Sequence, residues 1–277
     1  NTPPSYPSSG AVIQTHHFMR LLMKRHQVGL WSYWLDQGEP LDLGPLESQL
    51  SFVHIEKKKV EKSFSGKAHR WLRWIFGSDP MARWSYPGDE LYRSLEKAVE
   101  HFRPDVLMFE QLHMAFPLLP MSGRGQGPLL AFNAHDAIHV VLERAYDQAQ
   151  VHWLSRQLNQ HFLRQIRSFE KKVVKSADVV FSVSQVDAEH LGAPQQARDW
   201  AVTPNGVDTD YFSCLEEPNE AAPLTMTFIG SLGYGPNLEA LEFYCKEIHP
   251  LLRKKHPEAT LLVIGQPTKA TAWMEPL

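Results

Sequence analysis

The sequence predicts an α/β protein built from two doubly wound, Rossmann-like domains, and three observations carry the prediction. Short apolar runs rich in Val, Ile, Leu and Phe alternate with longer amphipathic segments, the pattern of a parallel sheet with helical crossovers. The stretch "PNGVDTDYFSCLEEPNEAAP", 204–223, interrupts this alternation with Pro, Asn, Asp and Glu, and a fresh apolar run, "LTMTFIG", follows it. The chain has 277 residues, a length that suits about two domains. The expected division is a first domain at 1–203, a linker at 204–222 and the start of a second domain at 223–277. The second holds only one strand-helix-strand unit, fewer than such a half usually needs, so it is expected to be truncated.

The strand candidates in order are Val28–Trp34, Phe52–Ile55, Asp105–Phe109, Leu129–Phe132, Val179–Val183, Ala201–Val202, Thr225–Ile229 and Thr260–Ile264. Each is short, apolar and bounded by turn or charged residues. "AVIQTHHFMRLLMKRH" reads as a helix. Phe162, Ile166, Phe169 and Val173 recur at helical steps and mark the buried face of a second. Leu238, Leu241, Phe243, Ile248, Leu251 and Leu252 mark a third.

The bulk numbers exclude several classes. With 28 Lys and Arg against 31 Asp and Glu, the formal net charge is -3, and nothing in that balance calls for nucleic acid. Two cysteines, Cys214 and Cys245, are too few for a disulfide framework and lack zinc-site spacing, so a cytoplasmic location is expected, with a single bridge left open. No apolar run is long enough to span a bilayer. The chain begins at Asn1 rather than Met, and a missing first strand is expected.

Candidate site residues cluster where strands end, because ligands of open α/β sheets bind at the carboxyl edge. "LLAFNAHDAIHVVLERA" delivers Asn133, His135 and Asp136 to such an edge, with Arg144 placed to reach a charged ligand. Glu110 ends the strand "DVLMF" and is placed either to orient acceptor hydroxyls or to cap a helix. HDAIH has the two-histidine spacing of a helical zinc site, but Asp136 replaces the glutamate of that motif and no third ligand follows. In "FIGSLGYGPNLEALEFY", Gly230, Gly233 and Gly235 lie between a strand and a helix opening after Pro236. Backbone N–H groups and a helix N-terminus there suit a phosphate, against the plainer reading of a strand-to-helix turn. "ATLLVIGQP" ends a second strand at Gly265. The Asp208-Thr209-Asp210 triplet has the spacing of a metal-holding D-x-D; Pro204 and the turn dipeptide Asn205-Gly206 favour a turn in which Asp208 accepts from backbone N–H groups. Residues 57–84 mix Lys and Arg with three tryptophans, a composition that fits a membrane interface or core rings under solvated charges.

Taken together, "FEKKVVKSADVVFSVSQVDAEHL", "PNGVDTDYF" and "FIGSLGYGPNLEALEFYCKEIHPLLRKKHPEATLLVIG" resemble glycosyltransferase family 4, a large group of two-domain enzymes of the GT-B fold. The resemblance covers nearly the whole chain and is most specific between Ala177 and Gly265. It implies a retaining transferase, of hexosyltransferase type, that moves a sugar from a nucleotide diphosphate donor to an acceptor hydroxyl in polysaccharide or glycolipid biosynthesis. The implied partners are the nucleotide sugar and a saccharide or lipid-linked acceptor, with peripheral membrane contact through 57–84 and neither cofactor nor metal. Ser9-Gly10-Ala11 matches the family's first glycine-containing loop, and His135 matches a histidine that contacts the donor sugar. Asn205, Gly206 and Asp208 match the interdomain crossing beside the cleft. Where many members carry Gly-Arg and Lys-Gly, the cations that neutralise the diphosphate, this chain has Gly230-Ser231 and Pro236-Asn237. The departure leaves phosphate binding to backbone N–H groups or to cations beyond Leu277, implies that the fragment alone does not turn over, and keeps open a non-catalytic sugar- or nucleotide-binding module of the same fold. A nucleotide-sugar epimerase is a third reading, against which the acceptor-side resemblance argues.

Overall fold

The computed structural model describes residues 10–36, 43–59, 75, 80, 88–125, 127–148, 151–213 and 224–265. Most of the basic, Trp-rich stretch 57–84 lies outside these residues, as do Ser9 and Cys214. The chain divides into two compact units, 1–207 and 208–277.

The first unit opens with α1 (Gly10–Met23), followed by strands β1 (Gly29–Asp36) and β2 (Phe52–Lys59), which pair in parallel. Helix α2 (Gly88–Phe102) then leads to β3 (Val106–Glu110) and β4 (Leu129–Asn133). Helices α3 (Ile138–Gln148) and α4 (Trp153–Ser176) connect β4 to β5 (Val179–Ser182), and α5 (Gln185–Leu191) precedes β6 (Trp200–Val202). Strands β3 to β6 form one four-stranded sheet in sequence order, every pair parallel. Successive parallel neighbours require a crossover between each pair, and the intervening helices supply it.

The core forms where the spacing of apolar residues predicts. Phe162, Ile166, Phe169 and Val173 of α4 are all buried. They join Leu130, Phe132 and Val180 of the sheet and Leu91 and Leu95 of α2 in a single cluster. Local chemistry trims the ends of these elements. Ser184 caps α5 by accepting from the Asp187 N–H at 3.0 Å, and Gly192 ends that helix with φ +68°. At the opposite edge of the sheet, the Asp178 carboxylate accepts from the Leu130 N–H and from Arg198, each at 2.9 Å, tying the starts of β4 and β5 together.

The second unit holds β7 (Thr225–Ile229) and β8 (Thr260–Ile264), parallel and in register, joined by α6 (Gly235–Phe243), a π-helical turn (Tyr244–Ile248) and α7 (His249–Lys255). Here the expected third helix is corrected. Leu241 is buried, but Phe243, Ile248 and Leu251 are 60%, 42% and 61% exposed. A π turn takes more residues than an α turn and rotates everything after it, while Pro250 lacks the N–H that would continue the ladder. The single apolar face expected from the sequence is therefore broken in phase. The helix also begins at Gly235, one residue before Pro236 rather than after it. Among the described residues, no helix is long and apolar enough to cross a membrane.

Candidate functional site

Two neighbouring parallel strands end at the same level, and their last residues, Glu110 of β3 and Asn133 of β4, are partners in register. The backbone then turns sharply on both. Gln111 takes φ +65° while its N–H donates to the Asn133 carbonyl at 2.8 Å. On β4, the Ala134 N–H still reaches β5 through the Phe181 carbonyl at 3.0 Å, after which His135 adopts φ +59° and the Asp136 N–H closes back on the Ala134 carbonyl at 2.8 Å. His135 is thus the centre of a three-residue turn in a backbone region that costs a non-glycine residue energy. Strain of this kind persists only where the surroundings over-determine it.

The side chains supply that determination. Glu110 Oε2 lies 2.7 Å from His135 Nε2 and accepts from Asn133 Nδ2 at 3.2 Å and from Thr15 Oγ1 of α1 at 3.3 Å. The His135 side chain is 6% exposed and that of Glu110 25%. A carboxylate offers acceptors only, so Nε2 is the nitrogen of His135 that carries the proton, and Nδ1 is the ring nitrogen left to act as an acceptor. Asn133 donates its amide to Glu110, while its buried Oδ1 has no partner. A buried acceptor left unmade is expensive, which marks Asn133 as a place where a hydroxyl or water would be stabilised.

Two neighbours set the electrostatics. Burial, with the nearby His135 acting in the same direction, pushes His113 down to about 4, so this imidazole is neutral near pH 7. Asp136 keeps an exposed surface, yet desolvation by the protein around it, and then the Asp187 carboxylate, raise its pKa.

The two histidines of HDAIH do not take up the helical zinc arrangement that their spacing allows. Helix α3 starts at Ile138, so His135 precedes it and does not stack one turn from His139. His139 turns instead to Glu170 of α4, with Nδ1 at 2.5 Å from Oε2. Among the described residues, no three His, Cys, Asp or Glu side chains converge as a metal group. Arg144 sits exposed on α3, and Gly10 opens α1 with nothing within 4 Å of where a side chain would start.

Asn205 and Gly206 lie in the exposed coil after β6. Asp208 engages its own backbone: Oδ1 accepts from the N–H groups of Asp210 and Tyr211 at 3.2 and 3.1 Å. That is the arrangement the turn reading calls for.

In the second unit, Gly230, Ser231, Asn237 and Gly265 meet at the carboxyl ends of β7 and β8. The Asn237 amide donates to the Ser231 carbonyl at 2.9 Å, and the Gly230 N–H donates to the Ile264 carbonyl at 3.0 Å. A Cβ on Gly230 would lie 2.8 Å from Asn237 Nδ2, and one on Gly265 only 2.1 Å from the Gly230 carbonyl oxygen. Gly265 is required by close approach to backbone, whereas a side chain at Gly230 would have to displace the Asn237 amide. Asn237 works as a clamp that closes the loop.

A second polar cluster occupies a groove of about 450 Å³ between β2 and α2. Ser94 Oγ donates to Glu56 at 2.9 Å and lies 3.1 Å from His54 Nε2, while Glu56 lies 3.2 Å from that same nitrogen. A nucleophile relay needs the acid on the far nitrogen of the imidazole. This cluster lacks that geometry and reads as a strand-to-helix tie.

Sequence reasoning placed Glu110, Asn133 and His135 at the carboxyl ends of strands but did not assign Thr15 and His113 to the site. Two apolar strands, "VLMFE" and "LLAFN", each end on a polar residue, as a shared edge requires. Nothing in the sequence joined Thr15 to either.

Among protein families, the model of Glycosyltransferase Family 4 matches residues 8–211, a span that includes the whole Thr15–Glu110–Asn133–His135 cluster. No curated protein matches the chain.

Proposed function

The chain belongs to glycosyltransferase family 4, and from that premise we propose a two-lobed, GT-B-like enzyme that transfers a sugar with retention from a nucleotide diphosphate donor to an acceptor hydroxyl, with 1–203 on the acceptor side and 223–277 in the donor-binding lobe. The observation that carries the reading is the pairing of buried His135 with half-buried Glu110, 2.7 Å apart at the carboxyl edge of a parallel sheet, where an open α/β sheet binds ligands. Glu110 holds the imidazole and fixes its tautomer; His135 presents Nδ1 to the sugar; Asn133 Oδ1 accepts from a hydroxyl. The acceptor class is a saccharide or lipid-linked saccharide, used in polysaccharide or glycolipid assembly on the cytoplasmic side.

In this proposal the loop from Gly230 to Asn237 meets the diphosphate with backbone N–H groups and the N-terminus of α6, because Ser231 and Asn237 bring no charge. The proposal needs neither cofactor nor metal. The Asp208 carboxylate already accepts from two backbone N–H groups, an occupation that supports the turn role over metal binding. The neutral, inward-folded Asn237 favours one rival, a module that binds nucleotide or sugar without turnover.

Titration of the full-length protein with UDP, GDP and ADP, followed by donor turnover with and without saccharide acceptors, separates the readings. The transferase reading expects nucleotide binding, acceptor-dependent release of nucleoside diphosphate, and loss of that release in His135→Asn with donor binding retained. Binding without turnover identifies the module. No binding to any nucleoside diphosphate overturns both.

A further inference from the structure

We propose that the outer face of α4 is a docking surface for an anionic lipid bilayer, an inference independent of the sugar-transfer reading. The 24-residue helix buries Phe162, Ile166, Phe169 and Val173 against the core and turns six cations outward: Arg156, Arg164, Arg167, Lys171, Lys172 and Lys175. The helix carries one carboxylate, Glu170, which is 2% exposed and taken up by His139. Five of the six cations make no ion pair among the described residues; Arg167 alone is matched, by Glu143 of α3 at 2.6 Å. Helix α3, packed alongside, adds Asp147 as a second acid and Arg144 as a further base. In a chain whose formal net charge is -3, this is a local concentration of positive charge.

The apolar end of the helix distinguishes a membrane from other polyanions. Val151, Trp153 and Leu154, at and just before its N-terminus, are 38%, 67% and 51% exposed. At about 100° per residue, Trp153 shares a roughly 100° arc with Arg156, Arg164, Arg167, Lys171 and Lys175. The stripe from Trp153 to Lys175 runs for roughly 33 Å, at about 1.5 Å per residue. A helix lying in the plane of the headgroups combines these features: cations meet anionic lipid, and an indole with aliphatic neighbours sits at the acyl boundary. A nucleic acid or an acidic protein would use the charge and leave Val151 and Leu154 without a role.

Co-sedimentation of the protein with phosphatidylcholine vesicles, with and without phosphatidylglycerol, tests the proposal. Binding is expected only with phosphatidylglycerol and is expected to weaken as salt rises. The triple variant Arg164→Glu, Lys171→Glu, Lys175→Glu replaces exposed residues, so circular dichroism should be unchanged, and its vesicle affinity should fall about a hundredfold or more. The difference in fluorescence between the protein and Trp153→Phe should shift to the blue on vesicle binding, as an indole leaving water does. Equal binding to both vesicle types, wild-type affinity in the triple variant, an unshifted Trp153 difference spectrum, or duplex DNA bound more tightly than the vesicles would each overturn it.

Discussion

Two of the places where neighbouring strands end in this chain solve the same problem by opposite means. At the carboxyl edge of β3 and β4, side chains converge: Glu110 collects His135, Asn133 and Thr15 in a network that is largely buried over the core. At the carboxyl edge of β7 and β8, side chains are excluded: Gly230 and Gly265 let backbone approach backbone, and an exposed loop is closed by one amide, Asn237. The first edge is specified by chemistry and the second by space. A side-chain network should therefore answer to changes in proton and polarity, and a glycine contact to the addition of a methyl group.

The largest expected effect breaks the second edge. In Gly265→Ala the new Cβ would meet a backbone oxygen at 2.1 Å, a partner that cannot swing away, so the second unit should lose about 3 kcal/mol or more. Urea denaturation followed by proteolysis of the 208–277 region reads the loss. Gly10→Ala, where open space surrounds the site, should be near neutral in the same assay.

Acid comes next and acts on the first edge. His113 is held down at about 4 in the fold, below the ordinary histidine value of about 6.5. The unfolded chain therefore binds the extra proton first, and stability falls as pH drops from about 6.5 toward 4, by about 2–3 kcal/mol at the ordinary value per pKa unit. Thermal melts across this range should show the slope, and His113→Gln should flatten it.

Glu110→Leu sharpens the assignment of roles. The aliphatic side chain removes the acceptor that faces His135 Nε2, so the hold on the Nε2–H form of the imidazole should be lost, visible as a change in its two nitrogen shifts in an NMR spectrum. Turnover should fall about tenfold, equivalent to about 1.4 kcal/mol, chiefly in kcat if Glu110 acts by positioning the ring. Unchanged nitrogen shifts would remove Glu110 from that role.

The smallest effect concerns the turn after the first unit. Asp208→Ala removes the acceptor for two backbone N–H groups and should cost about 0.5–1 kcal/mol. Asp208→Asn, which keeps an acceptor oxygen, should restore most of it in the same denaturation series.

Much of this architecture was legible because it rests on local periodicity. Strands such as Thr225–Ile229 and Thr260–Ile264 have the bounds their apolar runs predict, since a run flanked by turn residues has few other ways to bury itself. The buried face of α4 follows from helical spacing for the same reason. The third helix misled because a π turn changes phase without any residue type that announces it.

By itself, then, the sequence determined the alternation of strands and helices and the delivery of Glu110 and His135 to sheet ends, both consequences of near-neighbour pattern. Tertiary structure alone decided which nitrogen of His135 faces a carboxylate, that Asn133 keeps an unmet acceptor, that Thr15 arrives from α1, and that Asn237 serves as a clamp. The physical reason is reach: these relations join groups as many as 95 positions apart, and their energies exist only once packing has removed water and brought the atoms into contact.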